Sequence, residues 1–166
     1  MIGNDVIDIL QSRQESNWQR KGFIEKIFTV AEQLQISQTS DPETMIWLLW
    51  SMKEAAYKIY NRKTKVREYI PKKLICSIII QKTDSILGQV SCGEYLYYTK
   101  TYIFEENLHT VAVSRSQDLE NIIEINKKTI VKDQYGIPYL HGKQSNILQD
   151  VSISHHGRFE KIVCIG

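Results

Sequence analysis

Apolar positions recur at helical spacing through much of the first half of the chain. From Trp18 to Phe28, four such positions fall on one face and predict a helix. Thr29 followed by Glu32 is a capping-box pattern, in which the hydroxyl accepts from a free amide while the carboxylate reaches back. The pattern predicts a second helix that restarts at Thr29 and ends near Ser37.

The longest helical pattern runs from Asp41 to Tyr60. Aspartate is a good cap, and Pro42 stands at the first helical position, where a missing N–H costs nothing. The basic run of residues 62–67 follows, where cations complement the helix dipole. We predict one long helix with a buried face, whose apolar stripe comprises Met45, Leu48, Leu49, Met52, Ala55, Ala56 and Ile59.

Strand patterns replace helical ones after Pro71. Leu74–Ile80 is a β-branched apolar run, which is typical of a buried strand. Glu94–Phe104 and Leu108–Ser114 predict a hairpin. Ahead of all the helices, Ile2–Leu10 predicts a strand that runs into a turn.

Two further hairpins are predicted near the end of the sequence. Thr129–Leu140 is divided by Asp133-Gln134-Tyr135-Gly136, a turn signature with glycine where a positive φ is favoured. Val151–Ser154 and Phe159–Ile165 flank His155-His156-Gly157-Arg158 as the last pair. Helices that precede antiparallel strands indicate an α+β fold, with the helices packed on an antiparallel sheet.

Length and charge narrow the class of protein. The 166 residues fit one ordinary domain, which at this length buries about 70% of the surface of its unfolded chain. A net charge of +2 and a pI of about 8.3 fall short of the pI of about 9 that marks nucleic-acid-binding domains. We therefore expect no nucleic-acid partner.

Cysteine usage and the first residues indicate the compartment. Three cysteines without a CxxC pair argue against a disulfide framework and a zinc site, and we interpret Cys76 and Cys164 as buried small hydrophobic residues. The first residues lack a basic region, and no apolar run approaches the roughly 20 residues of a membrane span. We expect a cytoplasmic protein with no secretory signal and no membrane partner.

Two aspartates, Asp5 and Asp8, stand near the end of the first predicted strand. Magnesium takes oxygen ligands and often binds one or two carboxylates beside substrate phosphates, so the pair is a candidate metal site. The alternative is that both aspartates cap or terminate local structure. Taken alone, the pair fits the second interpretation as well as the first.

Glu54 and Lys58 lie four residues apart on the long predicted helix and share a face, with Trp50 one turn earlier. A carboxylate and an ammonium held together there can serve a metal and a phosphate. The alternative is a solvated ion pair worth about 0.2–0.5 kcal/mol. The small residues Ala55 and Ala56 favour a packed surface over a solvated one.

Residues 152–158 gather two hydroxyls, two imidazoles, a glycine and an arginine at a hairpin end. These groups can donate many hydrogen bonds to an anion, whereas the alternative is a polar turn. A serine–histidine hydrolase is disfavoured, because Ser154 and His155 are adjacent on a strand and point to opposite faces.

A series of basic residues has two interpretations. The common one is a solvated surface, and the sharper one is a docking surface for an acidic partner and for nucleotide phosphates. The series comprises Arg13, Arg20, Lys21, Lys26, Arg62, Lys63, Lys65 and Arg67.

Five segments follow one another in an order that carries a family resemblance. Gly3–Ile9 looks like an opening GxDxxE/D motif. Phe23–Glu32 looks like an F-x-x-R-I-x-T-x-x-E segment, with Lys26 at the arginine position, and Trp50–Lys58 resembles a W/F-x-x-KEA-x-x-K signature. Lys132–Tyr139 matches K-x-x-x-G-x-P-Y, and Val151–His155 matches a closing V-S-I/L-S/T-H. The chain thus resembles the 4'-phosphopantetheinyl transferase superfamily, specifically its short holo-acyl-carrier-protein synthase type.

The resemblance implies transfer of the phosphopantetheine arm of coenzyme A to a serine of an apo acyl-carrier protein or related carrier domain. Magnesium would be the cofactor, with Asp5 and Glu54 as ligands and Asp8 as a third ligand or outer partner. Glu54 would also take the serine proton, and Lys58 would stabilise the leaving group, 3',5'-ADP.

Further binding residues follow from the same resemblance. His155 would bind the nucleotide phosphates with help from Ser154 and Arg158, and Lys53 is a second candidate for the phosphate or adenosine side. The candidates for contact with the acidic recognition helix of a carrier protein are Arg13 and Arg20.

The sequence departs from the family pattern in two places. Asn61–Lys65 stands where short members have a glycine-rich G-T-G turn, and residues 70–125 exceed what the short type needs. We interpret residues 1–166 as one domain with a strand-rich insertion at roughly 70–125. Short members typically form homotrimers with active sites between subunits, and the added strands could preserve, cover or replace that interface.

Two rival classes of function stay open. A catalytically silent relative would bind a carrier protein or coenzyme A as an interaction module, although the joint presence of Asp5, Glu54 and Lys58 speaks against it. A metal-dependent nuclease would place an E-x-K pair on one face of a strand, whereas the pair here is spaced by four residues on a helix.

Overall fold

The structure, a computed structural model, describes residues 1–126, 130–141 and 148–166. The first half contains the helices α1 (Ile9–Glu15), α2 (Phe23–Ile27), α3 (Val30–Gln38) and α4 (Pro42–Thr64). The strands are β1 (Ile2–Asp8), β2 (Ile75–Gln81), β3 (Ile86–Cys92), β4 (Tyr95–Ile103), β5 (Asn107–Val113), β6 (Ile122–Glu124), β7 (Ile130–Lys132), β8 (Pro138–His141), β9 (Leu148–His156) and β10 (Phe159–Ile165), with a 3-10 helix (Ser116–Asn121) before β6.

Capping side chains start α3 and α4 where the sequence predicted. The Thr29 hydroxyl accepts from the Glu32 N–H at 3.3 Å, and the Glu32 carboxylate accepts from the Thr29 N–H at 2.8 Å. Asp41 accepts from the Thr44 N–H at 3.1 Å. The long helix is confirmed and runs on to Thr64.

The helix predicted between Trp18 and Phe28 is much shorter than its apolar pattern. Only the five residues of α2 are helical, because Gly22 turns the chain just before them with a φ of 84°. Glycine adopts this left-handed conformation without the steric penalty of other residues.

The predicted hairpins are confirmed as β4–β5, β7–β8 and β9–β10, all antiparallel. The strand predicted at Leu74–Ile80 forms as β2, but it is not buried. It lies at the edge of its sheet, and Ile75, Ile79 and Ile80 are between 45% and 56% exposed. β-branched residues favour a strand whether or not a second layer covers it. The pattern therefore predicts the strand correctly but does not predict its burial.

The strands form two five-stranded sheets, ordered β1-β5-β4-β3-β2 and β6-β10-β9-β8-β7. α4 packs across the first sheet and buries Met52, Ala55 and Ile59 completely. The second sheet meets the free edge of β1 through β9 and β10. Together with the helices these sheets confirm the α+β class.

The structure bears on the predictions for the cysteines and for membrane-spanning segments. Cys76 and Cys164 are buried free thiols, as expected, and so is Cys92. Among the helices in the described ranges, none combines the length and the apolar character that a membrane crossing requires.

Candidate active site

Glycine at position 3 lets β1 lie directly against α4. A Cβ atom at Gly3 would overlap the carbonyl oxygen of Ala55, so no other residue allows this approach. Asp5 lies two residues further along the strand and therefore on the same side. The close packing puts Asp5 near enough to Glu54 for its negative charge to act on that carboxyl group.

Asp5 is largely withdrawn from water. Burial raises the pKa of its carboxyl group, against the opposing effects of the Lys58 charge and of serine hydroxyls. The hydroxyl of Ser154 donates to its Oδ1 at 3.1 Å and fixes the side chain. Ser51 donates to the backbone carbonyl of Asp5 at 3.4 Å, which ties β1 to α4 at this point.

Folding makes the carboxyl group of Glu54 a weaker acid. Burial, with the negative charge of Asp5 adding to it, raises the pKa of Glu54 to about 7, and only Lys58 acts in the opposite sense. A carboxyl group with a pKa near neutrality can accept and release a proton at working pH, which is what a general base requires.

Lys58 completes the cluster one helical turn after Glu54. Its Nζ donates to the carbonyl oxygens of Asn4 at 2.5 Å and Ile153 at 3.0 Å. An ammonium group has three donors, so one N–H remains for a substrate. Burial lowers the pKa of Lys58, although the two carboxylates act to raise it.

Asp5 and Glu54 fit the protein side of a magnesium site. Ionisation of either carboxyl group is disfavoured by burial, and a divalent cation beside them would offset that cost. In the part of the chain that the structure describes, no three His, Cys, Asp or Glu side chains are grouped to hold a metal. Magnesium usually takes one or two carboxylates when substrate phosphates complete its coordination. The pair thus suits a cation that arrives with a diphosphate.

Asp8 is engaged elsewhere and caps α1. Its Oδ1 accepts from the N–H groups of Leu10 at 3.1 Å and Gln11 at 3.2 Å, and Arg158 Nε donates to its Oδ2 at 2.9 Å. The hydrogen bonds from Arg158 hold the pKa of Asp8 well below its usual range. Arg158 also pairs with Glu106 at 3.1 Å. These contacts engage both side chains, and the roles of Asp8 as a metal ligand and of Arg158 as a nucleotide ligand stay predictions.

Alternate side chains of β9 satisfy the outward N–H groups of β1. Ser152 Oγ accepts from the Asn4 N–H and Ser154 Oγ from the Val6 N–H, both at 2.9 Å. Nδ1 of His156 continues the series at 3.0 Å with the last N–H of β1. The Ser154 hydroxyl therefore contacts both the strand and the neighbouring carboxylate of Asp5, and its role at the nucleotide phosphates stays a prediction.

Lys53 lies on another side of α4, because one residue rotates an α-helix by about 100°. Its Nζ is buried, donates to both Glu32 oxygens at 2.8 and 2.9 Å and to the Pro71 carbonyl at 2.9 Å, and also contacts the Leu74 carbonyl. This buried ion pair joins α3, α4 and the start of β2, and the contact of Lys53 with the phosphate or adenosine side stays a prediction.

Two cavities meet at His155. The hairpin cleft, about 370 Å³ in volume, lies between the end of α4 and the β7–β8 turn, and it is lined by Lys58, Arg67, Lys132, Tyr135 and His155 with their neighbours. The carboxylate pocket, about 190 Å³, contains Asp5, Trp47, Trp50, His155 and His156. His155 lines both, so a ligand in the hairpin cleft can extend to the carboxylates.

A third cavity continues from the carboxylate pocket on the far side. This aromatic groove of about 490 Å³ shares Trp47 and Trp50 with the pocket. Its other walls include Arg20, Lys21, Phe23, Lys26 and Tyr69. We call these three neighbouring cavities the trough; Asp5 lines the middle one and Lys58 lines the hairpin cleft.

The sequence missed several residues that line this trough. Trp47, Lys132 and Tyr135 were not singled out for function, although the last two lie in the K-x-x-x-G-x-P-Y segment that supplied a signal. Tyr69 stands in the stretch after α4 that departs from the family pattern, and no sequence feature marked it.

The two arginines predicted to meet a carrier protein differ in their surroundings. Arg13 is held by Glu43 in an ion pair of 2.7 Å. Arg20 lies over the ring of Phe23 at 5.5 Å and lines the aromatic groove. Within the described ranges no carboxylate pairs with Arg20, so its charge is available to a partner.

Comparisons with known proteins agree with the fold. A family model described as the 4'-phosphopantetheinyl transferase superfamily matches residues 1–112. Among solved structures, the fold is similar to that of holo-[acyl-carrier-protein] synthase (AcpS) from Neisseria meningitidis, with a TM-score of 0.51 and 12% sequence identity over 69% of this chain and 97% of that chain. No curated protein matches the sequence.

Proposed function

The chain belongs to the 4'-phosphopantetheinyl transferase superfamily, and we propose that it transfers the 4'-phosphopantetheine group of coenzyme A to a serine of an apo carrier protein. The observation that carries the proposal is that Asp5, Glu54 and Lys58 lie close enough for their charges to act on one another, with Asp5 and Lys58 lining two neighbouring cavities of the trough. A diphosphate, a divalent cation and an attacking hydroxyl must meet at one point in this reaction, and the trough offers that point.

The chemistry assigns one proton transfer to Glu54. The carrier serine oxygen forms a bond to the β-phosphorus of coenzyme A, the bond from that phosphorus to the bridging oxygen breaks, and 3',5'-ADP leaves. Glu54 takes the serine proton, directly or through water. Lys58 directs its remaining N–H to the phosphates and balances their charge.

Magnesium would be held by Asp5 and Glu54. When bound, it supplies neutralisation of the charge on the diphosphate. Ser154 keeps Asp5 in place through its hydrogen bond of 3.1 Å.

The two ends of the trough suit the two substrates. The hairpin cleft presents two cations, an imidazole and a phenol ring to the nucleotide end of coenzyme A, from Arg67, Lys132, His155 and Tyr135. The aromatic groove presents Arg20, Lys21 and Lys26 to an acidic carrier. Arg13 is a weaker candidate than Arg20, because Glu43 already neutralises it.

Intact-mass spectrometry of apo acyl-carrier protein tests the proposal. Incubation with the chain, coenzyme A and magnesium should add one phosphopantetheine unit, and EDTA should prevent the addition. Asp5→Asn and Glu54→Gln should each abolish transfer, while Glu25→Gln, a change at an exposed carboxylate, should leave it unchanged. No addition to any of several carrier proteins, from a chain that still binds coenzyme A, would favour the silent binding module instead.

A further inference from the structure

A separate cleft of about 370 Å³ lies between β4, β5, β6, β10 and the 3-10 helix. Val111 of β5 packs there with Val163 of β10, whereas Leu108 and Ala112, which alternate with it, pack toward α4. The cleft is therefore on the face of the first sheet opposite to α4. It shares no lining residue with the three cavities of the trough.

The cleft has an apolar floor and a charged rim, on which the lysines are more buried than the carboxylates. Val111, Leu119 and Val163 supply apolar surface. The side chain of Lys100 is 18% exposed and that of its partner Glu120 is 78% exposed. Lys161 and Glu124 repeat the arrangement, at 27% and 55%. The cations are thus the inner charges and the carboxylates the outer ones.

The two carboxylates on the rim differ in how closely they hold their lysines. The Lys100–Glu120 contact is long, at 3.7 Å, whereas Lys161 donates to both oxygens of Glu124 at 2.9 and 3.1 Å. Both carboxylates are more than half exposed. Solvent screens ion pairs of this kind, so an anion from solution can compete for the same ammonium groups.

His109 lies on the wall of the cleft, close enough to Lys161 for that positive charge to act on its ring. Burial and the nearby charge of Lys161 lower the pKa of its ring to about 4, against an opposing effect of Glu124. The ring is therefore neutral at pH 7. Its Nε2 lies 3.2 Å from Nδ2 of Asn4, which fixes the ring against the back of β1.

We propose that this cleft is a second ligand site, which takes a small amphipathic anion. The apolar body of the ligand lies on Val111, Leu119 and Val163, and its anionic head pairs with Lys161 or Lys100. The volume is within the range of about 300–1,000 Å³ that small-molecule sites occupy. The site stands apart from the proposed transfer reaction and does not depend on it.

Isothermal titration calorimetry on the full chain tests the site with sodium hexanoate, hexanol and inorganic phosphate. Hexanoate should bind. Hexanol and phosphate should bind at least about tenfold more weakly, because hexanol lacks the anionic head and phosphate lacks the apolar chain. Lys161→Met and Lys100→Met should each weaken hexanoate by about tenfold, whereas Lys82→Met at an exposed turn should not. Thermal melting of each variant checks that it folds, and either lysine variant suffices for the test.

Coenzyme A separates this cleft from the trough. Hexanoate should bind equally well with coenzyme A present, since the two sites share no residue. Absence of hexanoate binding, equal binding of hexanol, unchanged affinity in the lysine variants, or displacement by coenzyme A would each overturn the proposal. A chain that fails to modify carrier proteins but binds hexanoate in this way would leave the second site standing.

Discussion

At the scale of single residues, Glu54 is a group that folding places where ionisation costs free energy. Its pKa of about 7 in the folded chain stands above its ordinary value of 4.5. A raised carboxyl pKa means that the folded state holds the proton more tightly than the unfolded state. Its cost to stability is therefore absent below about pH 4.5, grows through the interval and is complete above pH 7, where it amounts to about 3 kcal/mol.

Glu54→Gln should consequently raise stability at alkaline pH. Without divalent cations, the variant should exceed the wild type in free energy of unfolding by about 2–3 kcal/mol at pH 8 and by little at pH 4.5. Urea denaturation at both values measures the difference, with Glu25→Gln as a control that should follow the wild type. An advantage that is the same at both pH values would show that Glu54 is not buried as described.

Single residues also show which side-chain contacts could be predicted from the sequence and which could not. Glu54 and Lys58 were chosen correctly as neighbours, because helical spacing of four residues fixes a shared face. The ion pair between Lys53 and Glu32 could not be predicted, since no local pattern indicates which side of α4 meets Glu32. Asp8 could not be separated from Asp5 without the position of Arg158.

At the scale of elements, the packing of β1 on α4 sets the distance between the two carboxylates. Gly3→Ala would place a methyl group on the carbonyl oxygen of Ala55 and force the strand away from the helix. We expect a loss of stability of about 1–3 kcal/mol, as for other overpacked positions. Phosphopantetheine transfer should fall further than the loss of folded protein explains, since Asp5 moves with the strand.

Thermal melting and turnover, measured on the same preparation, separate these two effects. Gly166→Ala is the matched control, since a Cβ there would meet no atom closer than 3.4 Å. Normal turnover by a folded Gly3→Ala variant would show that the site tolerates a displaced β1.

Most elements followed from short-range rules. α4 and the hairpins formed as predicted, because caps, turn residues and apolar periodicity act over a few residues. Two predictions were wrong, one in the length of a helix and one in the burial of a strand. The helix before Thr29 is cut short at Gly22, and β2 lies at a sheet edge where no second layer covers its isoleucines. Both depend on how the chain packs, which periodicity does not encode.

At the scale of the whole molecule, Arg62 joins the second sheet to the helix of the site. It is 7% exposed, and its guanidinium donates to Asp150 at 3.0 Å, to the Val151 carbonyl at 2.6 Å and to the Pro138 carbonyl at 3.1 Å. We predict that one copy forms the complete site for the proposed transfer, although the resemblance to the short type implies homotrimers with sites between subunits.

Mixing two inactive variants tests this feature. Asp5→Asn alters the first sheet and His155→Ala the second, so a site shared between copies would regain activity in mixed assemblies. We expect no recovery, and a turnover per chain that does not change on dilution. Light scattering at the assay concentrations gives the oligomeric state. Recovery of activity in the mixture would show that copies exchange parts of the site.

The sequence by itself determined the inventory: the order of the motifs, the capped helices, the hairpins and the presence of carboxylates, lysines and histidines in the right segments. The single domain over residues 1–166 and the insertion at roughly 70–125 stay predictions of the same kind. The tertiary structure decided which of these groups meet. Asp5 and not Asp8 faces α4, and the Ser154 hydroxyl serves Asp5, because contacts across about 150 residues of chain set the edge of β1 against β9. Local rules reach only a few residues along the chain, and those contacts lie beyond them.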